Sequence, residues 1–293
     1  VLFRSPARPE VTQAPPDHLT LRGADMRRGR ETFGLLACEV WVPWRDEPVF
    51  VRFPAELVSS LGVHFVDTAE PLIETLAFPE PLPRWKHDPE TGALSYRAEA
   101  REITWWAHAT PRGDDHVLLE LGIENTSGQT IYDLSAQVCV WGAYPAGAAN
   151  TAVRGRVRLW AGGAWRRLWT AERQDAGHYR VAVTEQNRRR AGDMQPVDAE
   201  GWRLGERADY PVLACESRDG THLIAVTWFD ATHELISNAR LGCLHADPTH
   251  APPLEAGATW IWRGMLYLIE NEPDELLRRF KLDRGACRSA TPR

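Results

Sequence analysis

At 293 residues the chain is too long for a minimal domain and short for two ordinary ones, which leaves one large β-rich domain open. With 43% hydrophobic and 25% charged residues it has the make-up of a folded chain that buries a sizeable core, which excludes general disorder. The formal charge of −6, from 40 acidic and 34 basic residues, points to neither nucleic acid nor an anionic membrane as a partner.

The chain opens Val1-Leu2-Phe3-Arg4-Ser5 with prolines at 6, 9, 15 and 16. Residues 1–17 therefore read as a disordered or processed tail, and 18–293 as a single β-sandwich domain. No run of about 18 uninterrupted apolar residues predicts a spanning helix. A signal peptide removed before this start, and with it an extracellular or periplasmic location, stays open. Short runs rich in Val, Ile, Thr and Trp follow, at Thr32 to Val42, Val49 to Phe53 and Arg101 to His108, and predict strands. The proline-rich stretch from Phe78 to Pro83 is too short for a linker.

From Val117 to Ile123, the odd positions Val117, Leu119, Leu121 and Ile123 share one face of a strand. Thr126-Ser127-Gly128 predicts a turn. In the next run Tyr132, Leu134, Ala136, Val138 and Val140 form an apolar face, while Asp133, Ser135, Gln137, Cys139 and Trp141 form an opposite face suited to line a groove. Gly162-Gly163 and Ser217-Arg218-Asp219-Gly220 predict two hairpins. Leu223 to Phe229 is apolar on both sides, which requires cover on both faces. A helix is predicted from Asn271 to Phe280, with a capping asparagine, an early proline, acids first and arginines last. About a dozen to fifteen strands and no repeat period leave a large antiparallel sandwich with a short C-terminal helix.

Strand number, chain length and the late segments Ser237-Asn238, Cys243-Leu244-His245-Ala246-Asp247-Pro248 and Trp262-Arg263-Gly264 together resemble the super-sandwich architecture of galactose-mutarotase-like proteins. The late segments also resemble ones found in bacterial β proteins. The resemblance implies an all-β super-sandwich and a carbohydrate ligand.

Three groups of residues carry candidate chemistry. Cys243, His245 and Asp247 alternate in a turn-like segment, so in extended backbone they project to one side. This suits a general base, His245, oriented by Asp247, or a divalent metal site completed by a distant histidine; a loop with an Asx turn is the structural alternative. Thirteen tryptophans against six tyrosines supply flat apolar rings of the kind a sugar stacks on, with Trp41, Trp44, Trp85 and Trp141 as candidates beside Gln137. Arg84, Lys86, His87 and Arg263 form basic candidates for an acidic sugar or a developing anion; for Arg263, an ion pair with Glu120 or Glu124 is the structural alternative. Five scattered cysteines without a C-x-x-C pair predict buried free thiols. Phosphate-cradling glycine loops, a G-x-S-x-G elbow and H-E-x-x-H are missing from the sequence.

The leading expectation is a carbohydrate-active enzyme of lyase or epimerase type working by proton abstraction in a Trp-lined concave groove. In it His245 is the base, Asp247 orients it, Tyr144 donates a proton, and Arg263 or Lys86 stabilises the anion. No cofactor is required. A non-catalytic glycan-binding or structural sandwich, and a metal-dependent enzyme using His245 and Asp247, are the alternatives.

Overall fold

A computed structural model describes residues 16–24, 27–28, 31–32, 36–66, 83–100, 102–142, 155–169, 178–183, 194–198, 201–229, 232–238, 242–248 and 252–289. Their strands pair into two large sheets. The first runs in the order β1 (Thr20–Gly23), β4 (Ala37–Trp41), β5 (Val49–Ser59), β11 (Ser135–Trp141), β20 (Cys243–Pro248), β19 (Thr232–Asn238), β14 (His178–Ala182), β16 (Gly201–Arg207) and β15 (Met194–Asp198), with β6 (Gly62–Val66) on β5. The second runs β13 (Ala164–Arg167), β12 (Val157–Ala161), β17 (Val212–Glu216), β18 (His222–Trp228), β21 (Thr259–Glu270), β10 (His116–Asn125), β9 (Ile103–Pro111), β8 (Leu94–Glu99) and β7 (Lys86–His87). β2 (Arg27–Arg28) and β3 (Glu31–Thr32) form a separate ribbon, and α1 (Pro273–Ser289) closes the order. Among the described residues every pairing is antiparallel except β14 with β16. The architecture is the expected all-β sandwich with a C-terminal helix. Its strands outnumber the expected dozen to fifteen, in part because the two-residue pieces β2, β3 and β7 are too short to show alternation.

The core lies between the sheets. Val117, Leu119, Leu121 and Ile123 of β10 all point into it, as their spacing predicts, and Val138, Val140, Leu244 and Ala246 meet them from the first sheet. Contacts across the gap are direct: the Tyr96 hydroxyl donates to the Phe53 carbonyl, and the Phe53 and Trp228 rings lie 5.6 Å apart. Of the adjacent pair Trp105 and Trp106, only Trp105 faces inward. Trp106 lies over Gly122, its cross-strand partner, where an added Cβ would fall 2.1 Å from the indole. Only glycine leaves room for that ring.

The double apolar face of β18 is explained by α1. Leu223, Ala225 and Phe229 join Val212, Met265, Tyr267 and Ile269 in a second cluster on the outer face of the second sheet, and Leu276, Leu277 and Phe280 of α1 cover it. The Tyr267 hydroxyl donates to Asp283 at 2.7 Å, and Arg279 pairs with Asp115 in the β9–β10 turn. Pro273 occupies the first helical position and Glu272 precedes it, its carbonyl accepting from Leu276 N at 3.0 Å. Asn271 is therefore not the cap; its amide donates to the Gly220 carbonyl at 2.8 Å and ties the helix start to the β17–β18 hairpin. The helix also continues past Phe280 to Ser289.

Both predicted hairpins form. Gly162 and Gly163 take φ of +61° and +74°, the left-handed pair that a two-residue turn requires. In the other, the Asp219 carboxylate accepts from Ser217 Oγ at 2.6 Å and Thr221 N at 3.1 Å. The turn at Thr126 to Gly128 is also present, but it carries the chain from β10 in the second sheet to β11 in the first. Asn125 holds this crossing, its Oδ1 accepting from Ser127 N and its Nδ2 donating to the Leu254 carbonyl at 2.7 Å.

Because Phe280 is the fully buried centre of the helix contact, Phe280→Ala is expected to lower the unfolding free energy by about 3–5 kcal/mol. Leu282→Ala, on the exposed side of the same helix, should stay within about 0.5 kcal/mol. Urea denaturation of the two variants checks the contrast.

Candidate functional site

Since Val138, Val140, Leu244 and Ala246 point into the core, their neighbours on β11 and β20 turn to the outer face of the first sheet. The register sets Cys139 opposite His245 and Trp141 opposite Cys243. On one side β5 brings Arg52 opposite Cys139 and Glu56 opposite Gln137; on the other β19 brings Glu234 opposite Asp247 and Ile236 opposite His245, with Arg180 of β14 next in that row. Between Gln137 and Cys139 the β5 strand carries two more residues than β11, at the cis Phe53–Pro54 peptide. Ala55 there packs beside Cys139 and Cys243, with Trp141 against the same cluster.

The segment from Cys243 to Pro248, expected as a turn, is thus a central strand. Its same-side projection of Cys243, His245 and Asp247 holds. His245 Nε2 lies 3.1 Å from Cys243 Sγ, and the donor atoms of Cys139, Cys243 and His245 all lie within 4.8 Å of one another. All three side chains are buried, as are Asp247, Glu234 and Arg52. Around them Gln137, Trp141, Arg180 and Asn238 are partly exposed and Glu56 is exposed. Trp141 and Phe50 stand with ring centroids 5.4 Å apart.

The charges of this face are strongly perturbed. A hydrogen bond from Cys243 holds the Cys139 thiol well below its ordinary value against the opposing effect of burial, helped by His245 and Arg52. The same bond and burial push the Cys243 thiol up. Burial alone would lower the His245 imidazole, yet the neighbouring Cys139 and Asp247 outweigh it and raise it. Burial pushes the Asp247 carboxyl up to about 7, with Glu234 and Glu56 adding to the rise and His245 and Arg180 opposing it. Glu234 lies 3.5 Å from Arg180.

The remaining candidates are dispersed. Trp41 is buried on β4, its Nε1 donating to Glu39 at 2.8 Å and Arg22 lying over its ring. Trp44 stacks on His222 at 4.1 Å in a cleft of about 380 Å³ at one end of the sandwich, which Asp114, Glu270 and Glu275 also line. Trp85 packs edge-on against Tyr96 and closes over Gly23 as part of the core's margin. Lys86 and His87 are exposed on β7, the edge strand of the second sheet. Arg263 lies on the outer face of that second sheet, 2.8 Å from Glu120, so the ion-pair alternative describes it. None of these last four residues belongs to the face that carries His245. Tyr144 lies outside the described residues. The predicted site residues on the outer face of the first sheet are Gln137, Trp141, His245 and Asp247, which meet on β11 and β20, and Trp41, which stands on the same face at its β4 side beside Glu39.

Sequence reasoning placed Cys139 on the face of Gln137 and Trp141 but gave it no role. Arg52, Glu234 and Arg180 went unnoticed, because only strand pairing brings them to His245. All five cysteines are free thiols, four of them buried.

No family model matches this chain, and no curated protein matches it. Solved structures do match. A candidate aldose 1-epimerase of Escherichia coli is 11% identical, with 85% of this chain and 99% of that chain covered and a TM-score of 0.46. A galactose mutarotase-like protein of Clostridium acetobutylicum is 10% identical, covering 76% of this chain and 80% of that one at a TM-score of 0.41. A protein of Synechocystis is 10% identical, covering 89% and 99% at a TM-score of 0.42.

Burial pushes the Cys38 and Cys215 thiols up to about 12, whereas Cys287 on α1 is partly exposed. Native protein treated with iodoacetamide at pH 8 is therefore expected to label at Cys287 and to spare Cys38 and Cys215 until denaturant is added. Peptide mass spectrometry reads the order, and native labelling of Cys38 or Cys215 at the rate of Cys287 contradicts it.

Proposed function

We propose that the protein is a carbohydrate-active enzyme of epimerase or lyase type, which binds a sugar on the outer face of the first sheet and transfers protons through Asp247 and Glu234. The observation that carries this reading is the placement of those two buried carboxyls opposite each other on adjacent strands, within a rim of partly exposed polar and aromatic side chains. A proton-abstracting enzyme needs one group to take a proton from the substrate and another to return one, and a facing pair supplies both. In this reading His245, whose Nε2 lies 3.1 Å from Cys243 Sγ, belongs with the thiols, and the base role its sequence setting implied passes to the carboxyl pair.

The rim fits a sugar. Trp141 and Phe50 offer apolar ring faces, and Gln137 and Asn238 offer amide donors and acceptors for hydroxyls. Arg52 and Arg180 are the arginines in the row of Cys139 and His245, beside the carboxyl pair, and take the place of Lys86 and Arg263 as the groups to stabilise a developing anion.

Turnover of a panel of aldoses, uronic acids and their oligosaccharides, followed by polarimetry and by absorbance of unsaturated products, tests the proposal. Asp247→Asn and Glu234→Gln are each expected to lower kcat/KM by at least about 100-fold. Arg97→Ala, an exposed change on the outer face of the other sheet, should leave it unchanged. Full turnover in both carboxyl variants overturns the assignment, and binding of sugars without turnover by the unaltered protein overturns the enzymatic reading in favour of a glycan-binding one.

A further inference from the structure

Beside the carboxyl pair, the same sheet face holds a group of donors that proton transfer does not use. Cys139, Cys243 and His245 come from two strands whose register is fixed by the core, and their Sγ, Sγ and Nε2 or Nδ1 atoms fall within 4.8 Å of one another. We infer that these three side chains form a binding site for one thiophilic metal ion, with Zn2+ as the ion that best fits two sulfurs and one imidazole.

The spacing suits the ion. Donor atoms on a tetrahedral zinc with bonds of about 2.0–2.3 Å stand roughly 3.5–3.8 Å from each other. The cluster brackets that separation, with Cys243 Sγ and His245 Nε2 already 3.1 Å apart and all donor atoms inside 4.8 Å. Zinc can be received with small rotations of side chains and no change of backbone.

The donor chemistry and the surroundings agree. Two sulfurs and a nitrogen exclude the hard cations Mg2+ and Ca2+, which take oxygen ligands. On binding, the thiols reach the metal as thiolates, any protons they hold pass to bulk water, and the 2+ ion with two thiolates and a neutral imidazole carries no net charge. A neutral centre suits a cluster walled by Ala55 and Trp141. His245 Nδ1 is buried without a hydrogen-bond partner among the described residues, which leaves the imidazole free to present either nitrogen. Three donors also fall one short of a closed structural site, so among the described residues the fourth position is open to water or to a ligand, as in zinc sites that take part in chemistry.

The inference stands apart from sugar turnover, since it is read without any substrate. Full-length protein carrying no histidine tag is stripped with a chelator under reducing conditions and mixed with excess Zn2+. After gel filtration, metal analysis should find one zinc per chain. Co2+ added instead should give thiolate-to-metal charge-transfer absorption in the near ultraviolet, together with the intense visible bands of tetrahedral cobalt. Loss of an outer-shell partner of a metal already weakens binding by about 10–100-fold, so Cys139→Ser, Cys243→Ser and His245→Gln should each weaken Zn2+ by at least about 100-fold. Cys287→Ser, at the partly exposed thiol of α1, should keep full stoichiometry. Sub-stoichiometric zinc with no charge-transfer band in the unaltered protein overturns the site, and that measurement needs no variant to fold. Equal zinc uptake by the cysteine variants overturns it as well.

Discussion

The pairing of β11 with β20 in a single register is the constraint on which the remaining features turn. Strand side chains alternate, so a slip of one residue would exchange the two faces of the strand that slips. A slip of β20 would send Cys243, His245 and Asp247 into the core and put Leu244 outside, and a slip of β11 would do the same with Cys139 against Val138 and Val140. Burying a valine or leucine contributes roughly 1.5–3 kcal/mol, while each polar group buried without a partner costs about 1–3 kcal/mol. Both effects act in the same direction, so the alternative register is far out of reach. The aliphatic side of the two strands thereby decides where the thiols, the imidazole and the carboxyls stand.

The outer faces of the two sheets have different fates. On the second sheet α1 covers β17, β18 and part of β21, and the apolar cluster beneath it accounts for a strand hydrophobic on both sides. Beyond the helix that face carries Arg263 with Glu120 and Arg97 with Glu124, ion pairs with considerable exposure. Pairs of this kind contribute about 0–1 kcal/mol and stay hydrated, so their presence asks for no ligand. On the first sheet the charged and polar groups are instead buried and mutually perturbing. Burial, rather than residue type, is what separates Arg263 from Arg52.

How far the sequence revealed this follows from the range over which each signal acts. Alternation over Val117 to Ile123 and over Leu134 to Val140 is local, so strand faces were legible, including the outward set of Gln137, Cys139 and Trp141; Tyr132, expected on the apolar face, is instead exposed ahead of β11, where Asp133 takes a left-handed φ of +50°. Turn chemistry at Gly162-Gly163 and around Asp219 is local too, and the start of α1 was missed by two residues only because Asn271 resembles a cap. Pairing is not local. Cys139 meets His245 across a separation that no spacing rule covers, and Glu234, Arg52 and Arg180 arrive from three further strands. Residues chosen by type alone, such as Trp44, Trp85, Lys86 and Arg263, scattered to an end cleft, the core margin, an edge strand and the opposite sheet.

A cluster such as Cys139, Cys243, His245, Asp247 and Glu234 is not explained by stability. Removing charged groups from water costs several kcal/mol per ion, and replacing a buried ionic group by well-packed apolar residues is often neutral or stabilising by about 1–4 kcal/mol. Valine, leucine and isoleucine at these positions would satisfy the sheet equally well, as Ile236 does in the row between His245 and Arg180. Ala55 and Trp141 lower the local dielectric further, which strengthens every interaction among the charged groups and makes any left uncompensated more costly. Such an arrangement gains most when a positive centre or a polar ligand completes it. The physical case for the proposed site rests on that imbalance: the scaffold determines the positions, and the proposed ligands would complete the chemistry placed there.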